Sequence, residues 1–325
     1  MMPGSSLPLD RNLALEVVRV TEASALAAAR WIGRGDEKAA DEAAARAMRD
    51  ALDALCMAGE IVNGDGDDPA RPLATGRKVG NCQGPRVDVA LMPLEGPTVC
   101  AKGSHNALSV VAMAEHGAIL RVPEGAYMEK IATGPGVPAD AVDLDLAPEE
   151  VLARVAAAKK VRVSDLTVSI LDRPRHSGLI GRLFEAGARV ILFDDGDMSG
   201  ALSTGLPDTG IDLYMGSGGA LQGVLAAAGL KCLGGRMQCR FMARGDEQRL
   251  RLRQAGIDNA DRKYDIDDIV AGDVMFAATG VTDGHVLKGI RLSGGKATSH
   301  SLVMRSLTGT FRLLTAYHDL SRSAS

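Results

Sequence analysis

Three kinds of side chain in this sequence are grouped so that they could do chemistry. Carboxylates come from three separated segments: Asp36 and Asp41, then Asp65, Asp67 and Asp68, then Glu95. Hard divalent cations take oxygen ligands, so acids converging from several segments would hold Mg²⁺ or Mn²⁺, whereas scattered acids are simply solvated. Cationic groups flank a rigid residue in Asp172-Arg173-Pro174-Arg175-His176, and two guanidinium forks on one loop suit a phosphate. His176 by itself reads as a capping or buried histidine. Glycines gather in Gly216-Ser217-Gly218-Gly219, with Gly223 beyond. At a strand-to-helix junction their backbone N–H groups favour phosphate through the helix dipole. Their spacing is not that of the dinucleotide fingerprint, and no partner acid sits on a following strand. Asp195 and Asp197, in Phe193-Asp194-Asp195-Gly196-Asp197, could contact a sugar or metal, or could form an acidic turn feeding a helix cap.

The elements that must position these groups follow from periodicity. Residues 13–31 and 41–55 keep apolar side chains on a helical period. Ile61 and Val62 read as a short strand entering the loop 63–69, and 87–91 as a strand entering a turn at 92–97. Residues 106–115 fit helix or strand equally. From Leu166 onward, strands at 166–171, 190–193, 211–215 and 274–278 alternate with helices at 178–186 and 219–228. That alternation predicts a largely parallel sheet with crossover helices, whose strand-end loops bind ligands. Residues 301–306 and 310–317 predict a terminal hairpin. An Ala-rich charged helix near 148–160 suggests a boundary. It would separate an N-terminal α/β domain (1–155) carrying the acids from a C-terminal α/β domain (156–325) carrying the Arg and Gly loops.

Composition narrows the function classes. The chain has 325 residues, 46% of them hydrophobic but only 3% aromatic, enough for a core without disulfides. Five cysteines, odd in number and without a C-x-x-C pair, predict a reduced, cytoplasmic chain. A net charge of −4 argues against nucleic acid as a partner and leaves anions to local arginine clusters. No apolar run is long enough to span a membrane, and residues 1–10 lack the features of a signal peptide.

The motifs taken together resemble one family. Trp31-Ile32-Gly33-Arg34-Gly35-Asp36 with Asp41, Asn63-Gly64-Asp65-Gly66, Pro93-Leu94-Glu95-Gly96 and Tyr127-Met128-Glu129-Lys130 occur in the order seen in class II fructose-1,6-bisphosphatases. So do Arg173-Pro174-Arg175-His176, Asp195-Gly196-Asp197, Gly218-Gly219-Ala220 and the stretch from Phe276 to Gly284, and the likeness runs from about residue 12 to about 318. The resemblance implies a layered α/β/α/β/α sandwich of the lithium-sensitive phosphatase type. It also implies removal of the 1-phosphate of a sugar bisphosphate with Mg²⁺ or Mn²⁺, and a homo-dimer or homo-tetramer. Carried over by position, Asp41, Asp65 and Glu95 fall at metal-ligand places. Glu95, Gly96, Tyr127, Arg173, Pro174, Arg175, Asp195, Gly196, Asp197 and Gly219 fall at substrate places.

The sequence departs from the family pattern at its most chemical positions. Met92 stands for a bridging Asp, and Gln222 for a metal-binding Glu. Pro97 stands for the Thr that positions the attacking water, and Asp65 for a longer Glu. A neutral thioether is ignored by hard cations, and each lost charge weakens cation binding. Losing the group that orients the nucleophile removes roughly 10²–10⁴ in rate. The expectation is a sugar-phosphate-binding protein with ordinary phosphatase activity lost or much reduced, a pseudoenzyme. The alternatives are an active fructose-1,6-bisphosphate 1-phosphatase with an altered metal site, or a repurposed enzyme acting on another phosphorylated metabolite.

Overall fold

The computed structural model describes residues 11–243 and 245–322. The segment read for a signal peptide, Met1–Asp10, and the end of the polar tail, Ser323–Ser325, lie outside the described residues. The chain forms two compact units, one built from residues up to Ile119 and from Gly272 onward, the other from Leu120–Ala271. The boundary expected between residues 155 and 156 falls inside a helix of the second unit.

The first unit opens with α1 (Arg11–Ala29) and α2 (Glu37–Asp53). Val17, Val20, Ala25 and Ala28 of α1, and Ala40, Ala44, Met48 and Leu52 of α2, recur at helical spacing and are fully buried. Asp36 starts α2, its side chain accepting a hydrogen bond from the Ala39 N–H at 2.9 Å. Then come β1 (Ala58–Asn63), β2 (Lys78–Val79), β3 (Arg86–Glu95), α3 (Pro97–Lys102) and β4 (Leu108–Glu115). All of β4 except Glu115 is buried, so neither face shows the alternation that would have marked it as a strand. β3 runs through Met92–Glu95, and its register against β4 shifts between those two residues. The turn expected at 92–97 is therefore partly a bulge within a strand, where Pro93 removes no needed ladder N–H. The Ser24 hydroxyl ties this bulge to the helices, donating to Pro93 O at 2.9 Å and Ala44 O at 3.1 Å.

The second unit contains β5 (Tyr127–Thr133), α4 (Pro148–Lys159), β6 (Thr167–Leu171), α5 (Ser177–Glu185), β7 (Arg189–Phe193) and α6 (Asp197–Ser203). It continues with β8 (Leu213–Gly219), α7 (Ala220–Leu233), β9 (Arg236–Phe241), α8 (Asp246–Gln254), β10 (Lys263–Asp265) and α9 (Ile266–Ile269). The six strands lie in the order β10-β9-β5-β8-β6-β7. Ile131, Val168 and Leu213 face Val151, Leu152 and Val155 of α4 and Leu183 of α5. On the other face, Ser169 donates to Gly200 O of α6 at 3.1 Å, and Gly223 of α7 packs on Met128 and Lys130.

The chain then returns to the first unit with β11 (Val274–Gly280), β12 (Arg291–Ser293), β13 (Lys296–Arg305) and β14 (Thr310–Asp319). They complete an eight-stranded sheet, β12-β13-β11-β4-β3-β1-β2, with β14 paired to β13 as the expected terminal hairpin. The largely parallel sheet is corrected. Among the described residues only β1/β3, β6/β7 and β6/β8 are parallel pairs, and the remaining pairs run antiparallel. The fold is a mixed α/β chain with two sheets flanked by helices. No helix among the described residues is long and apolar enough to cross a membrane.

Candidate functional site

In the first unit, Asp41 lies half-buried on α2, and Asp65 sits in the loop after β1. Arg71 Nη1 donates to Asp65 Oδ1 at 2.8 Å and to its carbonyl at 3.2 Å. Burial, then the negative charge of Asp65, push the Asp41 carboxyl up to about 6, against the opposing charge of Arg71. An acid whose proton affinity is raised by a neighbouring carboxylate marks a place where a cation would relieve repulsion. Glu95, 2% exposed, ends β3. Gly96 follows in the left-handed region with φ 79°, and Pro97 is the first residue of α3. At that position a proline lacks only an N–H the helix would not use, so what Pro97 forgoes is a side-chain hydroxyl. Met92 is half-buried on the bulge. Asp36 is committed to its cap, while Asp67 and Asp68 are exposed, Asp68 Oδ1 accepting from the Ala70 N–H at 2.9 Å. Among the described residues no three His, Cys, Asp or Glu side chains are gathered as a metal site. The acids of this region are thus the Asp41 and Asp65 pair and the buried Glu95, with the Met92 thioether on the same strand as Glu95.

In the second unit the phosphate-type groups are braced by their neighbours. Arg175 Nε donates to Ser217 Oγ at 3.1 Å and Nη2 to Ser217 O at 2.7 Å, while its Cζ lies 5.6 Å from the centroid of the Tyr127 ring. Stacking and two hydrogen bonds fix this guanidinium in place before any ligand arrives. Buried His176 organises Ser217 in turn. Its Nδ1–H donates to Leu171 O at 2.9 Å, and Nε2 accepts from the Ser217 N–H at 3.0 Å. Burial, then the Arg175 and Arg173 charges, hold its pKa below the ordinary histidine value, against the Leu171 carbonyl, which raises it. His176 is thus a neutral structural strut.

Tyr127, Arg175 and Ser217 line a cavity of about 350 Å³ together with Gln248, Arg251 and Leu252 of α8. That volume lies within the range of small-molecule sites. The residues on α8 were not expected, because their segment carries no motif and reads only as a polar, charged helix.

The other expected substrate residues fall into two groups. Arg173 and Asp195 approach to 3.9 Å, and Asp195 Oδ1 accepts from the Gly196 N–H at 2.9 Å. Pro174 opens the short turn Pro174–His176 that follows β6. Asp197, 5% exposed, begins α6 behind Gly196 (φ 85°) and makes an ion pair with Lys130, which is 1% exposed. Lys130 Nζ also donates to Gly219 O at 2.6 Å. A side chain at Gly218 would place its Cβ 2.0 Å from Asp197 Oδ2, and one at Gly219 would place it 2.1 Å from Gln222 Oε1. Gly218 is therefore required by the buried, ion-paired Asp197, whereas at Gly219 the flexible end of Gln222 has room to shift. Lys130, within the Tyr127-Met128-Glu129-Lys130 motif, was given no role at the site. Its signal was period-two alternation, since Met128, Lys130 and Ala132 share one face of a strand whose other members on that face are buried.

Comparison with known proteins gives this arrangement its context. Residues 11–318 match the model of the bacterial, glpX-encoded fructose-1,6-bisphosphatase family. The chain is similar to a D-fructose 1,6-bisphosphatase class 2/sedoheptulose 1,7-bisphosphatase of Synechococcus sp. (strain JA-3-3Ab), with 40% identity covering 95% of this chain and 96% of the relative. It is also similar to fructose-1,6-bisphosphatase 1 class 2 of Escherichia coli (strain K12), with 39% identity covering 97% of each chain. With residues 11–318 matched and relatives about 40% identical over nearly the whole chain, the chain belongs to the bacterial class II fructose-1,6-bisphosphatase family.

Proposed function

We propose that this protein binds a sugar phosphate or bisphosphate while its metal-dependent phosphatase activity is lost or much reduced. One contrast carries the reading. The arginine assembly is complete, with Arg175 locked by Ser217 and stacked on Tyr127 at a 350 Å³ cavity. The acid assembly offers one close pair, Asp41 and Asp65, beside a strand that presents Met92. Binding of a phosphate needs the first, and water activation by Mn²⁺ or Mg²⁺ needs more than the second. In this reading Arg175 grips a phosphate oxygen pair, Tyr127 holds the guanidinium plane, and His176 keeps Ser217 oriented without exchanging protons with the ligand.

A second reading, an active fructose-1,6-bisphosphate 1-phosphatase with an altered metal site, draws support from 40% identity to a bisphosphatase over nearly the whole chain. One experiment separates the two. Purified protein is incubated with fructose 1,6-bisphosphate and Mn²⁺, and phosphate release is measured beside a thermal-shift titration. Binding without turnover is expected, and turnover comparable with an ordinary family member would reject the first reading. We propose further that the protein is cytoplasmic and assembles as a homo-dimer or homo-tetramer, which light scattering on the purified protein would check.

A further inference from the structure

The sequence motif running from Trp31 to Arg34 has no part in the cavity around Arg175. It lies in the first unit, in the turn after α1, and lines an open hollow of about 680 Å³. Gly294, Gly295 and Lys296, from the tight turn joining β12 to β13, form another wall. Arg30, Arg34 and Lys296 are all exposed in it, and among the described residues none of the three makes an ion pair. No acid lines the hollow among the described residues. Asp319, the cross-strand partner of Lys296, is instead engaged by Ser321 and Arg322.

In a chain of net charge −4, three cations without an acid make a local positive field. The negative end of α1 offsets only about half a charge. The half-buried Trp31 ring packs on the cluster containing Ala25, Ala28 and Ala29, so one wall is apolar and fixed. Cations from two segments beside an apolar wall, with no acid among the described lining residues, are what an anion site requires.

We propose that this hollow binds a phosphate group, free or carried on a small organic ester, independently of the sugar-phosphate cavity of the second unit. The protein's single tryptophan lies in the site and reports on it directly. Intact protein in low-salt buffer is titrated with inorganic phosphate, pyrophosphate and glycerol 3-phosphate, against chloride at matched ionic strength. Trp31 fluorescence is followed, with calorimetry as a readout that does not depend on the ring.

Saturation below about 1 mM is expected for at least one phosphate probe, with affinity falling as salt rises. The paired substitution Arg34→Ala and Lys296→Ala, on exposed side chains, should weaken binding at least about tenfold while leaving the melting temperature unchanged. Arg175→Ala should leave the response intact. Tighter binding of glycerol 3-phosphate than of phosphate assigns an organic ester, and the reverse order assigns the free anion. Three results would each overturn the proposal: no saturable fluorescence change or heat from any probe, an undiminished response in the paired variant, or loss of the response on Arg175→Ala alone.

Discussion

Removing the Lys130 ammonium should be among the most damaging single changes in the second unit. Lys130 is 1% exposed and Asp197 5%, so Lys130→Met leaves a carboxylate in a place water does not reach. Breaking one partner of such a pair costs about 3–5 kcal/mol, because the remaining charge keeps its desolvation penalty and loses its compensation. The hydrogen bond to Gly219 O goes with it. At about 2–4 °C per kcal/mol, the transition of this unit should fall by about 6–20 °C. Asp197→Leu alone should be similarly harmful, for it strands the ammonium. The combined Lys130→Met, Asp197→Leu variant removes both charges, and should recover much of the loss if hydrophobic replacements fill the space. Scanning calorimetry on the four proteins closes the cycle. A single variant melting within about 2 °C of the parent, or a double variant as unstable as the sum of the singles, would refute the argument that these charges hold each other in place.

Other expectations follow from the same residues. If the proposed loss of activity lies at the departures from the family pattern, Met92→Asp, Pro97→Thr and Gln222→Glu together should raise Mn²⁺-dependent release of phosphate from fructose 1,6-bisphosphate; no gain in that assay would contradict it. His176, with its pKa lowered by burial, binds fewer protons folded than unfolded below the ordinary histidine value of 6.5. The stability it confers is therefore present above that value and lost as pH falls through the folded pKa. Melting temperature should drop more steeply between about pH 7 and pH 5 in the parent than in His176→Gln, and parallel curves would contradict this. Burial pushes the Cys239 thiol up to about 12 and that of Cys100 up to about 11, whereas Cys56 and Cys82 are exposed. Mass spectrometry after brief alkylation near pH 8 should find Cys56 and Cys82 labelled and Cys100, Cys232 and Cys239 protected.

Much of the fold could be read before the structure, and what escaped did so for identifiable reasons. The helices over α1 and α2 and the hairpin of β13 and β14 carry periodic patterns set by one buried face. β4 lacks that pattern because both its faces are buried, so periodicity could not separate strand from helix. The parallel reading failed because alternation reports the order of elements along the chain and not their order in the sheet. β6, β7 and β8 do run parallel, but β5 enters beside β8 in the opposite direction, and β11 joins the other sheet altogether.

Of the residues lining the cavity, Tyr127 and Arg175 are singled out by chemistry and family likeness together. Lys130 lies within a family motif but drew no role, since a lysine is ordinarily solvated and its burial shows only in strand parity. Arg251 and Gln248 reach the cavity from a helix whose composition signals nothing but exposure.

The interrupted layout of the first unit bears on how the protein is made. β11 fills the gap between β4 and β13, pairing Leu108 with Gly280 and Val274 with Ala114 across a long excursion of the chain. On the ribosome, the continuous stretch Leu120–Ala271 is available to fold as soon as it emerges. β4 must meanwhile wait with an open apolar edge until the last strands are synthesised. A nascent chain stalled or clipped before Val274 would expose that edge to its neighbours, so premature termination here should yield aggregates rather than a smaller soluble protein.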